Sequence, residues 1–143
     1  MSNIAYVNGE FVELEKATVS IEDRGFQFGD SIYEIIKLYN GKLFKLEDHI
    51  QRLFNSAHQI RLNLDYSKEE LKELAQQVLE ANEDSDRKEE GGLYIQITRG
   101  TAPRSHGFSS DLEPTVIMYL LPAKKIKPKV REKGVTAITM PEQ

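Results

Sequence analysis

Cysteine is absent from this 143-residue chain. That excludes disulfides, thiolate nucleophiles and cysteine-held metals; it is compatible with a reducing compartment, and a cytoplasmic location is expected. Histidine is scarce: His49, His58 and His106 do not have the spacing of metal ligands, so no metal site is expected. No apolar run is long enough to span a bilayer. The opening MSNIAYVNGEF lacks the charged region and apolar stretch of a signal peptide. There is no P-loop, no GxGxxG and no Ser/His/Asp set. Excess positive charge is also missing. The net charge of −4 argues against non-specific nucleic-acid binding as the main task, while leaving room for a local basic pocket.

What is present suits a soluble globular domain: 29% charged and 39% hydrophobic residues, in a length that fits one domain with a sizeable core. Ile4–Val7 and Phe11–Leu14 flank Asn8-Gly9, a strong two-residue hairpin signal. Ala17–Ile21 is a third short strand by alternation. Ser31–Tyr39 is rich in β-branched and aromatic residues. Ile32, Glu34, Ile36 and Leu38 fall on one face and Tyr33, Ile35, Lys37 and Tyr39 on the other. Asn40-Gly41 is a second hairpin turn, returning through Lys42–Leu46.

The period then changes to about 3.6. Ile50, Leu53, Phe54, Ala57 and Ile60 form one helical stripe within Glu47–Arg61, with His49, Arg52 and His58 off its centre. Ser67 and Glu70 read as a capping box opening a second helix, whose stripe is Leu71, Leu74, Ala75, Val78 and Leu79. The charged run Glu83–Glu90 reads as a solvated loop. Leu93–Thr98 alternates as a strand, and the VIMYLL run within Leu112–Pro122 is a buried one. Strands, two helices and strands again predict an α+β fold: a mostly antiparallel sheet with both helices on one face. The expected domain lies at 1–122, with a basic linker at 123–133. Gly134–Met140 restarts a strand, which reads as the beginning of a second, truncated domain at 134–143.

The stretch Ser20–Glu34 combines turn signals at Glu22–Gly25 and Gly29-Asp30 with Phe26, Phe28 and Tyr33. It is either an ordinary loop entering a strand or the rim of a site. Arg52 is either a phosphate or carboxylate ligand, through its planar fork, or a solvated surface residue. Arg104 and His106 point the same way if their loop is extended, which makes an anion trap; otherwise the loop is merely flexible and polar. Tyr33 either donates its hydroxyl to a substrate oxygen or packs with that hydroxyl at a rim. Arg24 is expected to pair locally and hold its turn. Lys37, Lys42 and Lys45 are expected to be exposed, and no lysine reads as an activated amine.

Taken together, DRGFQFGDSIYE (Asp23–Glu34), HIQRL (His49–Leu53) and TRGTAPRSHGF (Thr98–Phe108) resemble the fold-type IV pyridoxal-phosphate aminotransferases. The similarity runs from about Ile4 to the end of the chain. The first motif is shared with branched-chain aminotransferases and aminodeoxychorismate lyases, while Pro103-Arg104-Ser105-His106 points to the D-amino acid branch. The resemblance implies that Arg52 contacts the phosphate of pyridoxal 5'-phosphate. It also implies that Tyr33, Arg104 and His106 hold the substrate α-carboxylate, in a group completed across a homodimer. The reaction implied is amino transfer from a D-amino acid to a 2-oxo acid, such as D-alanine to 2-oxoglutarate. Family members are considerably longer. Their Schiff-base lysine matches none of the lysines here and is expected beyond Gln143, so this chain alone is expected to be inactive. The other reading is a non-catalytic, self-associating domain.

Overall fold

A computed structural model describes residues 3–108, 111–123 and 126–142. Six antiparallel strands form one sheet: β1 (Ile4–Val7), β2 (Glu10–Glu13), β3 (Ser31–Tyr39), β4 (Lys42–Leu43), β5 (Gly92–Thr98) and β6 (Thr115–Leu121), in the order β2-β1-β6-β5-β3-β4. Both Asn-Gly turns take the predicted geometry. Asn8 and Gly9 have φ of 46° and 96°, and Asn40 and Gly41 have 48° and 72°, the positive values that tight hairpins with right-handed strand twist require.

Four helices accompany the sheet: α1 (Arg24–Phe28), α2 (Leu46–Gln59), α3 (Lys68–Ala81) and α4 (Pro128–Lys133). The two long ones lie on one face of the sheet, as the change of period predicts. Ile50, Leu53 and Ala57 of α2 and Leu71, Ala75, Val78 and Leu79 of α3 are buried with Ile36, Leu38, Leu93, Ile95, Ile97, Met118 and Leu120 in one core. Each Val, Leu, Ile and Met side chain among them contributes roughly 1.5–3 kcal/mol through burial. The capping box forms: Ser67 Oγ accepts from the Glu70 N–H at 3.2 Å, and Glu70 accepts from the Ser67 N–H at 2.7 Å.

Four expectations are corrected. Ala17–Ile21 forms no strand. It pairs with no strand among the described residues, and Val19 and Ile21 remain exposed. The return strand β4 covers two residues, because Lys45 adopts a left-handed φ of 57° and α2 starts at Leu46. The turn at Glu22–Gly25 opens into α1, which Asp23 caps by accepting from the Gly25 N–H at 2.7 Å. Gly25 is required there, since a Cβ would lie 2.4 Å from Thr98 Cγ2. Finally, Gly134–Met140 forms no strand, with Val135, Ile138 and Met140 exposed; Pro128–Lys133, within the span read as a linker, folds as α4 with a proline in its first turn.

Since β4 pairs only with Leu38 and Tyr39, residues 31–37 of β3 have no strand on that side among the described residues. This open edge separates the helix-covered face of the sheet from the bare one.

Candidate functional site

The alternation of β3 sends neighbouring residues to opposite faces. Tyr33 is 62% exposed on the bare face, stacked on Tyr94 with ring centroids 5.9 Å apart. Tyr94 in turn packs on Tyr119. Its hydroxyl donates to Gln96 Oε1, and Gln96 Nε2 donates to Ser31 Oγ, both at 3.0 Å. Burial, with Tyr119 and Tyr33 adding, pushes the Tyr94 hydroxyl above its ordinary value and keeps it a donor. Among the described residues the Tyr33 hydroxyl has no hydrogen-bond partner, so it is available to a ligand.

Glu34 points the other way, into the helix-covered face, where it is 4% exposed between Ile32 and Ile36. A buried carboxylate needs partners. They come from α2, where His49 and Arg52 are three residues apart and so share a side of the helix. Arg52 donates from Nε to Glu34 Oε1 at 2.5 Å and from Nη2 to Oε2 at 2.6 Å; His49 Nδ1 is 2.8 Å from Oε2. Burial opposes ionisation of Glu34, but the hydrogen bonds from Arg52 and His49 outweigh it and hold the carboxyl below its usual range. The carboxylate raises the Arg52 guanidinium in return. The Arg52 side chain is 66% exposed. Two of its nitrogens serve Glu34, and Nη1 is left toward solvent with no protein acceptor among the described residues.

The second group is built on α1 and the loop after β5. Arg24 pairs locally, as expected, and its partner is Asp30. The arginine is 4% exposed, and its Nε donates to Asp30 Oδ2 at 2.9 Å. Its Nη1 donates to the carbonyls of Ser105 and Gly107 at 2.8 and 3.3 Å, on either side of His106. Arg99 is also buried. Its Nε donates to the same Asp30 oxygen at 2.8 Å, and its Nη atoms donate to the carbonyls of Arg61 and Ile60 at the end of α2. Burial raises the Asp30 carboxyl, but the two arginines prevail and lower it. The structural role expected of Arg24 is therefore real, and it extends to the loop after β5.

Arg104 and His106 are exposed, and both lie against Phe28 at the end of α1. The Arg104 guanidinium carbon is 5.0 Å from the ring centroid, and the His106 ring is 5.6 Å from it, tilted by 54°. Among the described residues neither makes a salt bridge. The fold thus brings Arg104 and His106 together on Phe28, and among the described residues no hydrogen bond or ring contact joins them to Tyr33. Arg52 contacts none of the three and lies on α2, over the face of the sheet opposite Tyr33. No lysine is buried among the described residues.

Four supporting residues escaped sequence reasoning: Glu34, Phe28, Asp30 and Arg99. One signal for Glu34 was present, a single carboxylate at an apolar-face position of a strand followed by a His-x-x-Arg helix. Nothing local marked the other three, whose partners lie far along the chain: Phe28 meets His106, 78 residues on, and Asp30 meets Arg99, 69 residues on.

The sequence matches the amino-transferase class IV family over residues 31–143. It is 46% identical to the D-alanine aminotransferase of Bacillus licheniformis over 92% of this chain and 45% of that protein. The structure of the Escherichia coli branched-chain amino acid aminotransferase superposes with a TM-score of 0.76 at 25% identity, over 85% of this chain and 41% of that one. That of 4-amino-4-deoxychorismate lyase from Pseudomonas aeruginosa does so at 0.68 and 23% identity, over 92% and 44%. The chain spans about 45% of the length of the curated relative it matches. A six-stranded antiparallel sheet backed by two helices, with the match across four-fifths of its residues, places this chain in the class IV aminotransferase family.

Proposed function

We propose that this chain supplies the anion-binding half of a D-amino acid aminotransferase that uses pyridoxal 5'-phosphate. The observation that carries the reading is the presence of two separate arginine sites, each with free donors. A cofactor phosphate and a substrate carboxylate are both anions, and each needs its own guanidinium. Arg52 fits the phosphate: its orientation is set by Glu34, and Nη1 faces solvent beside the open edge of β3. Arg104 and His106 fit the α-carboxylate, with the free Tyr33 hydroxyl as a further donor. When bound, the cofactor serves as the electron sink for amino transfer, and these residues bind and orient. No lysine of this chain is assigned the covalent attachment of the cofactor.

Substrate choice follows the Pro103–His106 segment and the similarity to D-alanine aminotransferases; D-alanine and 2-oxoglutarate are the proposed pair. The lack of any contact between Tyr33 and Arg104 or His106 among the described residues supports a homodimer in which the loop of one protomer serves its partner's site. The cofactor-loaded protein that contains these residues should transaminate D-alanine with 2-oxoglutarate. Turnover confined to L-branched-chain substrates would move the assignment to the branched-chain enzymes. Mixing a Tyr33→Phe protein with an Arg104→Ala protein should restore part of the lost activity, because one site of each hybrid dimer is intact. No recovery despite hybrid formation would exclude the shared site. A compact monomer by light scattering would exclude both the shared site and the self-associating reading.

A further inference from the structure

The loop from Arg99 to Phe108 is exposed where it matters and held everywhere else. At its start, the Arg24 N–H donates to the Gly100 carbonyl at 2.9 Å, and Asp23 bridges Thr101. In its middle, Arg24 Nη1 grips the carbonyls flanking His106. At its end, the Arg99 guanidinium carbon lies 4.0 Å from the Phe108 centroid. These contacts fix the main chain. They do not fix the side chains of Arg104 and His106, which project into solvent and meet one protein group in common, the ring of Phe28.

Phe28 is suited to that task. It is the last residue of a short helix whose start is capped by Asp23 and whose end is closed by Gly29 at φ 67°. Arg24, already buried and bonded to Asp30, lies 4.8 Å from the same ring. The ring is thereby held from behind while it carries two solvent-facing groups. A ring attracts a cation through its quadrupole and brings no negative charge. A carboxylate in the same place would orient Arg104 more strongly, but it would also neutralise it and compete with an incoming anion.

We propose that Phe28 is the positioning residue for the Arg104–His106 pair: a neutral platform that orders both side chains toward a substrate carboxylate without consuming their charge. This rests on the reading of Arg104 as a carboxylate ligand. It adds a division of labour, in which Arg24 and Asp30 hold the backbone of the loop and Phe28 holds its side chains. Substrate then meets an arginine whose freedom is already reduced, so less ordering remains to be done on binding.

The test is made in the cofactor-loaded protein that contains these residues. Phe28→Leu should raise KM for D-alanine by about 3- to 10-fold, the size expected for one or two exposed cation–ring contacts, with kcat within about two-fold. Binding of D-lactate, a carboxylate with no amine to react, should weaken equally by calorimetry. Phe28→Tyr should restore both values to within about two-fold. If the leucine protein fails to fold, Phe28→Met, flexible and without a ring, serves the same comparison. In a protein already carrying Arg104→Ala and His106→Ala, Phe28→Leu should have no further effect on KM, since it acts through those groups. An unchanged KM in Phe28→Leu beside a raised KM in Arg104→Ala overturns the proposal alone. So does an undiminished Phe28→Leu effect in the doubly substituted background, which marks a general structural role. A silent Arg104→Ala overturns the carboxylate reading itself, and the proposal with it.

Discussion

Arg52 and Arg104 are both exposed arginines, yet the chain holds them in opposite ways. Arg52 is gripped through Nε and Nη2 by a buried carboxylate. Arg104 rests on the ring of Phe28 with no carboxylate in reach among the described residues. The first arrangement is directional and strong, but it spends most of the charge inside the protein. The second is weak and leaves the charge whole. A ligand that stays bound, such as a cofactor phosphate, needs a fixed donor direction. One that must enter and leave in every turnover, such as a substrate carboxylate, is better served by unspent charge. The support behind an arginine therefore says as much about its task as the arginine does.

That contrast can be broken most directly at Arg104. Arg104→Ala should raise KM for D-alanine by about 10- to 150-fold, because a charged, bidentate contact is worth roughly 1.5–3 kcal/mol. The melting temperature should stay unchanged, since no carboxylate is left unpaired. Steady-state kinetics and a thermal melt on the same sample check both halves. Arg52→Ala should show the reverse. Cofactor dissociation should rise by about 10-fold by absorbance titration, as for loss of one charged hydrogen bond, and the melting temperature should fall because Glu34 loses its main partner in the core. If Arg52→Ala melts like the parent, the grip of Glu34 contributes nothing.

Smaller effects sharpen the comparison. Glu34→Gln keeps a hydrogen-bond acceptor but removes the charge; it should destabilise by about 1 kcal/mol in denaturant titrations and loosen the cofactor while sparing KM for D-alanine. The smallest effect is on acid stability. The folded-state pKa of Glu34 lies below its ordinary 4.5, so the folded protein binds fewer protons there than the unfolded one. The stabilisation is whole above pH 4.5 and is lost as the pH falls through the lowered value; Asp30 behaves alike from 3.8 downward. Glu34→Gln should flatten part of this acid slope, and Phe28→Leu should leave it as it is. An identical slope in Glu34→Gln would remove Glu34 from the account.

Much of the fold is legible in the chain. The two Asn-Gly turns, the alternation of Ser31–Tyr39 and the Ser67–Glu70 cap are local signals, and the structure realises each of them. Ala17–Ile21 and Gly134–Met140 also read as strands and form none, because a one-chain pattern describes one side of a pairing and says nothing of whether a partner strand comes to lie beside it. Tyr33, Arg52, Arg104 and His106 stand out by residue type, and motif resemblance gives them their expected roles. Their supports do not, since Phe28 and Asp30 act through partners far along the chain and have no periodic signature.

The junction at Asp30 has a consequence for how this molecule assembles. One carboxylate gathers Arg24 and Arg99, and through them the end of α2 at Ile60 and Arg61 and the loop carbonyls of Ser105 and Gly107. These contacts span up to 83 residues of chain. Closing such long loops is entropically costly and slow compared with forming a hairpin or a helical turn. The loop that carries Arg104 and His106 therefore takes its shape with the pairing of Ser31 to Thr98, which brings Asp30 beside Arg99, and later than the local hairpins and helices. Its order reports that this pairing is complete, and a chain that stalls earlier displays Arg104 without its supports.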